Sequence, residues 1–501
     1  MENKLIMKNE KSEEHYRFYA LAFCIILASL LFYALLATKP TKPMQKIRNQ
    51  TLENIFSFDE KKCFQTCSIE IVESIPENLT FNGFIPRSTY ESWLDLINDA
   101  QNTILIAAYK SSLRGKHVFG NFNQKYSAEG EAIYESIQSA GIDKKILIKM
   151  VENGPSKDKG DNEDGKSLEN KGAIQRRSLN LRNIVGSGTM HSKFIVVDNK
   201  DFYLGSANFD WRSLNQKMEL GIYAKNCDCL AQDLTNIFNT YWHGAKAETI
   251  ERYNEIQRHQ PEALFNMQKP LLINYAGEKA EIYLASSPRM KEVPSRTWDL
   301  DAIVHEINRA KKYLYIHVMD YFPMYLYTQN KKFWPVLDNA LRSAIMRGVD
   351  VKLIVAALHN PEISLRFVKS LEALKGLTEN ATFEARVFKV PTSTNIQKVM
   401  QRERRTHNKF LVTETASIIG TSNWAADYFD GKGTGVAVVI QQKIKDKNSF
   451  IKKMTEIFIR DWDSSYTHPL DEYLQNCVDQ RTADYCESLK DESLFATVQS
   501  S

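Results

Sequence analysis

The chain carries one short pattern twice, MHSKFIVVD at 190–198 and THNKFLVTE at 406–414, and other features repeat around it in the same order. The segment Leu96–Ile106, a helix end entering an apolar strand, is matched by Ile303–Ile316. Gly141-Ile-Asp-Lys-Lys-Ile-Leu-Ile148 is echoed by Gly348-Val-Asp-Val-Lys-Leu-Ile-Val355, each read as a turn glycine feeding a strand. Ile237-Phe238…Trp242 is matched by Ile457-Phe458…Trp462. Four features in one order at offsets of 207 to 220 residues mean a duplicated unit of about 200 residues. Period-3.6 helices alternating with short Val/Ile-rich strands predict an α/β fold, with mixed or parallel sheets flanked by helices and two tandem repeats packed as a pseudo-dimer. A chain 43% hydrophobic and 25% charged is neither disordered nor fibrous.

The 501 residues divide on this reading into a cytosolic tail (1–17), a transmembrane signal anchor (18–37), a stalk (38–60), a first half (61–250), and a second half with a C-terminal tail (251–501). The anchor, FYALAFCIILASLLFYALLA, is twenty uncharged residues, and about 1.5 Å per residue spans the roughly 30 Å hydrocarbon layer. It is the single such stretch, which excludes a multi-pass transporter. Lysines and arginines flank it on both sides, so charge does not orient it. Six of the seven cysteines follow it in close sets, Cys63 with Cys67, Cys227 with Cys229, and Cys477 with Cys486. Such sets suit disulfides in an oxidising compartment. Their spacing lacks the His pair of a zinc site, so neither metal nor cofactor is expected. Acceptor sequons for glycosylation at Asn49, Asn78 and Asn380 also follow the anchor. Asn153–Lys171 reads as a solvated loop, and a charged stretch at Lys246–Ala263 joins the halves.

The chemistry sits in the repeated pattern. Residues two apart on a strand share a face, so His191 projects with Lys193 and His407 with Lys409. Gly205-Ser206-Ala-Asn208 and Gly420-Thr-Ser422-Asn423 follow, glycines that admit close backbone approach and amides able to bind an oxygen. Two such sets face to face would surround one phosphate with two imidazoles, two ammonium groups and two amides, with Ser206 and Ser422 alongside. That arrangement suits a pentacoordinate phosphorus with spread negative charge, one imidazole attacking and the other protonating the leaving oxygen. Asp198 and Glu414 complete each motif, but seven residues from its histidine each turns to the opposite face and holds geometry without touching phosphate. Glu219, at the start of ELGIYA, is the expected orienting carboxylate for His191. The same offset in the second half lands on Thr434, so the halves differ chemically. Arg176, Arg177, Arg182, Lys398, Arg402, Arg404 and Arg405 precede the histidines, as a basic flank or a solvated face. Trp211, Trp424 and Tyr428 are candidates for stacking on a base or for core packing.

With these residues the chain resembles the phospholipase D superfamily, whose HxKxxxxD signature occurs twice in single-chain members. It is most similar to the membrane-anchored phospholipase D3 and D4 group, through Cys63-x3-Cys67-Ser-Ile-Glu-Ile-Val-Glu-Ser-Ile-Pro76, LGSANFDWRSL at 204–214, IGTSNW at 419–424 and RDWDS at 460–464. The resemblance implies hydrolysis of single-stranded DNA and RNA from the 5′ end, and phospholipid head-group exchange for some members. It also implies a metal-free two-step route through a phosphohistidine, with His407 as nucleophile and His191 as proton donor. Disulfides between the Cys63/Cys67 and Cys227/Cys229 clusters are implied as well. The further Cys that family members carry after the second-half strand, paired with the C-terminal region, is replaced here by Ala356 and Ala357, which leaves Cys477 to pair with Cys486 instead. The expected protein is a single-pass type II membrane protein of the secretory route and endolysosome, its catalytic part luminal. Its expected partners are a nucleic-acid or phospholipid substrate, the membrane and a second copy of the chain. A luminal exonuclease, a lipid phosphodiesterase and a non-enzymatic binding protein are the three readings. Intact His, Lys and Asn sets weigh against the last.

Overall fold

In the computed structural model the described residues are 60–475, without 120–123, 156–159, 290–292, 294, 329–330, 357–360, 393–402 and 444–447. The first half is built from β1 (Ser68–Ser74), β2 (Arg87–Ser88), α1 (Thr89–Asp99), β3 (Thr103–Ala108), α2 (Ala128–Ile142), β4 (Leu147–Asn153), β5 (Gln175–Leu179), β6 (Phe194–Val197), β7 (Asp201–Gly205), β8 (Lys217–Lys225) and α3 (Asp228–Gly244). The second half repeats this plan with β9 (Leu271–Tyr275), β10 (Glu278–Ser287), α4 (Asp299–Arg309), β11 (Tyr313–Val318), α5 (Val336–Met346), β12 (Asp350–Val355), β13 (Thr382–Phe388), β14 (Arg405–Thr406), β15 (Lys409–Thr413), β16 (Ala416–Gly420), β17 (Gly435–Gln441), α6 (Phe450–Trp462) and β18 (Thr467–Pro469).

Two large sheets result, ordered β2-β1-β8-β7-β6-β3-β4-β5 and β9-β10-β17-β16-β15-β11-β12-β13-β18. In each, three consecutive parallel strands are joined through helices, and an antiparallel set carries the repeated motif. The helices cover the sheets because one face of each is apolar. Ser88 caps α1 by accepting from the Glu91 amide, and Trp93, Leu96 and Ile97 pack inward against Ile104 and Ile106. The duplication is therefore a repeated topology as well as a repeated sequence.

The halves are stitched by exchanged backbone. β14, from the second half, pairs parallel with the start of β8, Lys217 opposite Arg405 and Met218 opposite Thr406. Reciprocally, Met190 bridges to Thr434 beside β17. Register makes Glu219, opposite Ser74, equivalent to Gly435, opposite Ser287. The counterpart of Glu219 is thus Gly435, not Thr434.

Several expectations are corrected. Among the described residues no helix is long and apolar enough to cross a membrane. The described residues therefore do not support the expected type II protein with a luminal, endolysosomal catalytic part. The 18–37 stretch, Asn49, Cys477 and Cys486 lie outside the described residues, as do Lys398 and Arg402. Asn153–Lys171 is not simply solvated, since Glu163–Asn170 is helical and buried Asp164 accepts from Arg114, at 2.8 Å from its amide and 2.5 Å from Nε. Gly348 is a turn glycine (φ 82°), but Gly141 lies within α2, where a Cβ would stand 2.0 Å from the Ala173 carbonyl oxygen. Disulfides Cys63–Cys229 and Cys67–Cys227 tie the short helix before β1 to the start of α3. Asn78 and Asn380 are exposed.

Candidate active site

Both motif histidines lie just before a strand, in extended chain leading into β6 and β15, and each is fixed by the other half's backbone. The His407 amide donates to the Met218 carbonyl at 2.8 Å, and the His191 amide donates to the Thr434 carbonyl at 3.3 Å. Each lysine folds back on its own motif: Lys409 Nζ donates to the His407 carbonyl at 2.6 Å, and Lys193 Nζ to the His191 carbonyl. The two sets converge at the seam. Lys409 is among the charges acting on His191, and Lys193 among those acting on His407. All four side chains are buried, as are Asn208 and Asn423.

The exchange reassigns Glu219. Because Met218 holds the His407 backbone, the next side chain on β8 falls beside the partner half's histidine. Glu219 Oε2 accepts from His407 Nδ1 at 2.7 Å and from Ser206 Oγ at 2.6 Å. It therefore orients His407, not His191. At the equivalent place Gly435 has no side chain, and a Cβ there would stand 2.1 Å from Ser422 Oγ. Ser422 instead donates to Asp299 Oδ2 at 3.1 Å. His191 Nδ1, Asn208 Oδ1, Asn423 Oδ1 and Glu219 Oε1 are buried without hydrogen-bond partners. Unsatisfied polar atoms are uncommon in folded interiors and concentrate where a ligand or water completes the bonding.

Electrostatics give the same picture. Burial, then the charges of Lys193 and Lys409, hold His191 well below the usual imidazole range. Burial, then Lys409, Lys217 and Arg405, do the same to His407. Burial lowers Lys409 to about 7, with Glu219 and Asp320 opposing. Lys193 is held well below its usual value by burial and by Lys409. Two ammonium groups pressed together out of water are a site poised for an anion, which would offset both the burial and the repulsion.

Asp198 and Glu414 sit at the far strand ends. Asp198 accepts from the amides of Gln101, Asn102 and Thr103 at 2.7–2.8 Å, and Glu414 from the Lys311 amide at 2.8 Å. Ser206 and Ser422 spend their hydroxyls on Glu219 and Asp299. Trp211 and Trp424 are core residues. The Tyr428 ring stands 4.8 Å from the His191 ring, and Tyr109 flanks it at 4.9 Å. Arg176 pairs with Glu152 and Glu169, Arg177 donates to the Trp242 carbonyl, and Arg182 is exposed. Buried Arg404 joins the halves through the carbonyls of Glu77 and Pro391.

Sequence reasoning missed His317. This residue of β11 bonds Thr406 Oγ1 at 2.6 Å and lies 3.4 Å from Asn408 Nδ2, bracketing His407, while Asp461 stands 3.2 Å from its Nδ1. Asp461 is bound in turn by Arg460, which also pairs with Glu73 of β1. The IVESIP and RDWDS segments thus meet behind the site, 387 residues apart. Nothing in the spacing of His317 marks it, because it lies outside both motifs.

A family model described as "PLD3/4, PLD-like domain" matches residues 82–393. The chain is 32% identical to the "5'-3' exonuclease PLD3" of Xenopus laevis, over 95% of this chain and 99% of that protein. It is 34% identical to the human protein of that name, over 82% of each. A crystal structure of phosphatidylserine synthase from Haemophilus influenzae shares the fold, with a TM-score of 0.55 and 12% identity, covering 88% of this chain and 98% of that one.

The chain belongs to the phospholipase D superfamily, in its PLD3/4 group, and is a phosphodiesterase of that superfamily.

Proposed function

We propose that this phosphodiesterase is a 5′-to-3′ exonuclease on single-stranded nucleic acid, working through a phosphohistidine on His407. The observation that carries the assignment of roles is the 2.7 Å contact between Glu219 and His407 Nδ1, which has no equivalent at His191. With its Nδ1 proton held by a carboxylate, His407 keeps the Nε2 lone pair free to attack phosphorus. His191, without a carboxylate, gives up a proton readily and protonates the leaving 5′ oxygen. Lys193, Lys409, Asn208 and Asn423 take the non-bridging oxygens, supplying the positive charge for the transition state without a metal ion. In the second step neutral His191 deprotonates water, which attacks the phosphohistidine, and a 3′-phosphorylated product leaves. The exonuclease names of relatives 32% and 34% identical support nucleic acid as the substrate.

The test is a parallel assay of the purified protein on 5′-hydroxyl oligonucleotides and on vesicles of phosphatidylcholine and phosphatidylglycerol. Nucleotides released one at a time from the 5′ end support the reading. Head-group release from the vesicles with intact oligonucleotides overturns it.

A further inference from the structure

The seam carries a second cationic set, next to the catalytic one and on one side only. Alternation along the extended segment puts Arg405, His407 and Lys409 on a shared face, and Lys217 shares its own face with Glu219. Pairing sets Lys217 opposite Arg405. Arg405 and Lys217 both act on the charge of His407, and Arg405 on that of Lys409. Lys110 belongs to the same group through Asp161 (3.2 Å) and Asp210 (3.6 Å), and Arg212 binds Asp210 at 2.6 Å. Lys217 is paired with Glu403 at 2.6 Å. Arg405 Nε is buried with no hydrogen-bond partner. Four cations therefore meet three carboxylates, and Arg405, whose charge acts on His407, keeps an unpartnered Nε.

Among the described residues, the equivalent pair of positions on the other side carries no charge. The bridge Met190–Thr434 is the counterpart of Thr406–Met218, so Thr189 stands for Arg405 and Gly433 for Lys217. A charge present on one side of a duplicated site, and neutral on the other, does not serve the bound phosphate symmetrically. It marks a direction. Two residues of extended chain span about 6.6 Å, of the order of the separation between successive phosphates in a stretched single strand.

We propose that Arg405, backed by Lys217, binds a second phosphate of a polynucleotide whose scissile phosphate lies at His407. This rests on the nuclease reading and deepens it. The second phosphate is either the next internucleotide phosphate or a 5′-terminal one. A phospholipid with an uncharged or ammonium head group has none.

The experiment compares kcat/KM for three substrates: a dinucleoside monophosphate, the same compound with a 5′-phosphate, and a trinucleoside diphosphate. For the native protein one of the two-phosphate substrates is preferred by about tenfold or more, and which one identifies the source. In Arg405→Gln that preference falls to near one, and the slope of log KM against log salt falls by about 0.7. Arg405→Lys, which keeps the charge, retains most of the preference and shows that loss in Arg405→Gln is not misfolding. A preference unchanged in Arg405→Gln, or absent from the native protein, overturns the second-phosphate site while leaving the nuclease reading intact. Cleavage of none of the three overturns the nuclease reading itself, and this proposal with it.

Discussion

Replacing Glu219 by Gln tests the reassigned pair without changing side-chain volume. The carboxylate accepts two bonds on Oε2, from His407 Nδ1 at 2.7 Å and Ser206 Oγ at 2.6 Å. A hydrogen bond to a charged group contributes about 1.5–3 kcal/mol. Its loss from the transition state alone slows turnover about 10- to 150-fold, at 1.36 kcal/mol per decade. A further penalty comes from tautomerism. The amide can turn its NH2 toward Nδ1 and leave the proton on Nε2, the attacking atom, and the equivalent change in hydrolase triads lowers kcat about 10⁴-fold. The expected fall in kcat is therefore between about 10² and 10⁴, with KM changed little because Lys193, Lys409 and both asparagines are intact. The assay is single-turnover cleavage of a 5′-hydroxyl oligonucleotide, with the melting temperature measured alongside. A Glu219→Gln protein that folds normally and keeps kcat within threefold of native would refute the orienting role.

Three further outcomes follow from the same geometry. Protonated Lys409 is needed to hold phosphate, so kcat/KM should decline as pH rises through about 7, where that ammonium discharges. Since burial and the lysines depress His191, the proposed acid of the first step, activity should still be rising as pH falls to the lower edge of the imidazole range. A flat profile from pH 5 to 9 would contradict both. Reducing the Cys63–Cys229 and Cys67–Cys227 bridges should lower the melting temperature. The first closes a loop of 166 residues, about 5 kcal/mol by chain entropy, and the second adds less because it closes only a small ring beside the first. An unchanged melting temperature under full reduction would count against this. His317→Ala removes the group bracketing residues 406 and 408 and leaves buried Asp461 without that partner. A stability loss of about 1–3 kcal/mol is expected, with kcat falling more than KM rises, and partial recovery in His317→Gln. Native kcat in a stably folded His317→Ala protein would show that the bracket is dispensable.

Much of the fold was legible because each repeat announces itself locally. The helix–strand joint at Ala100 and its match at Ala310, and the strands ending in Gly205 and Gly420, need only periodicity and small residues. His191, Lys193, His407 and Lys409 were legible because spacing alone places each pair on one face. Glu219 was found, but on the wrong histidine. Its partner is set by the exchange of backbone between halves, through Met218 and Thr434, and neither residue type signals such an exchange. Counting from Gly420 likewise missed Gly435 by one position, because the loop between β16 and β17 is longer than its counterpart between β7 and β8. His317, Asp461 and Glu73 were invisible as a group, since three distant segments come together only in the packed interior. The Asn153–Lys171 stretch misled through composition: its Asp164 is buried against Arg114 and His117, which lie 50 and 47 residues earlier.

The assignment of nucleophile and acid is tested most directly by trapping the covalent intermediate. A His191→Asn protein, given a nucleoside 3′-(4-nitrophenyl phosphate), needs no acid to expel nitrophenolate but lacks the base for the second step. It should release one equivalent of nitrophenolate in a burst and retain a nucleoside 3′-phosphoryl group, found by mass spectrometry on the peptide bearing His407. A phosphoryl group on any other residue, or steady release with no adduct, would contradict the account.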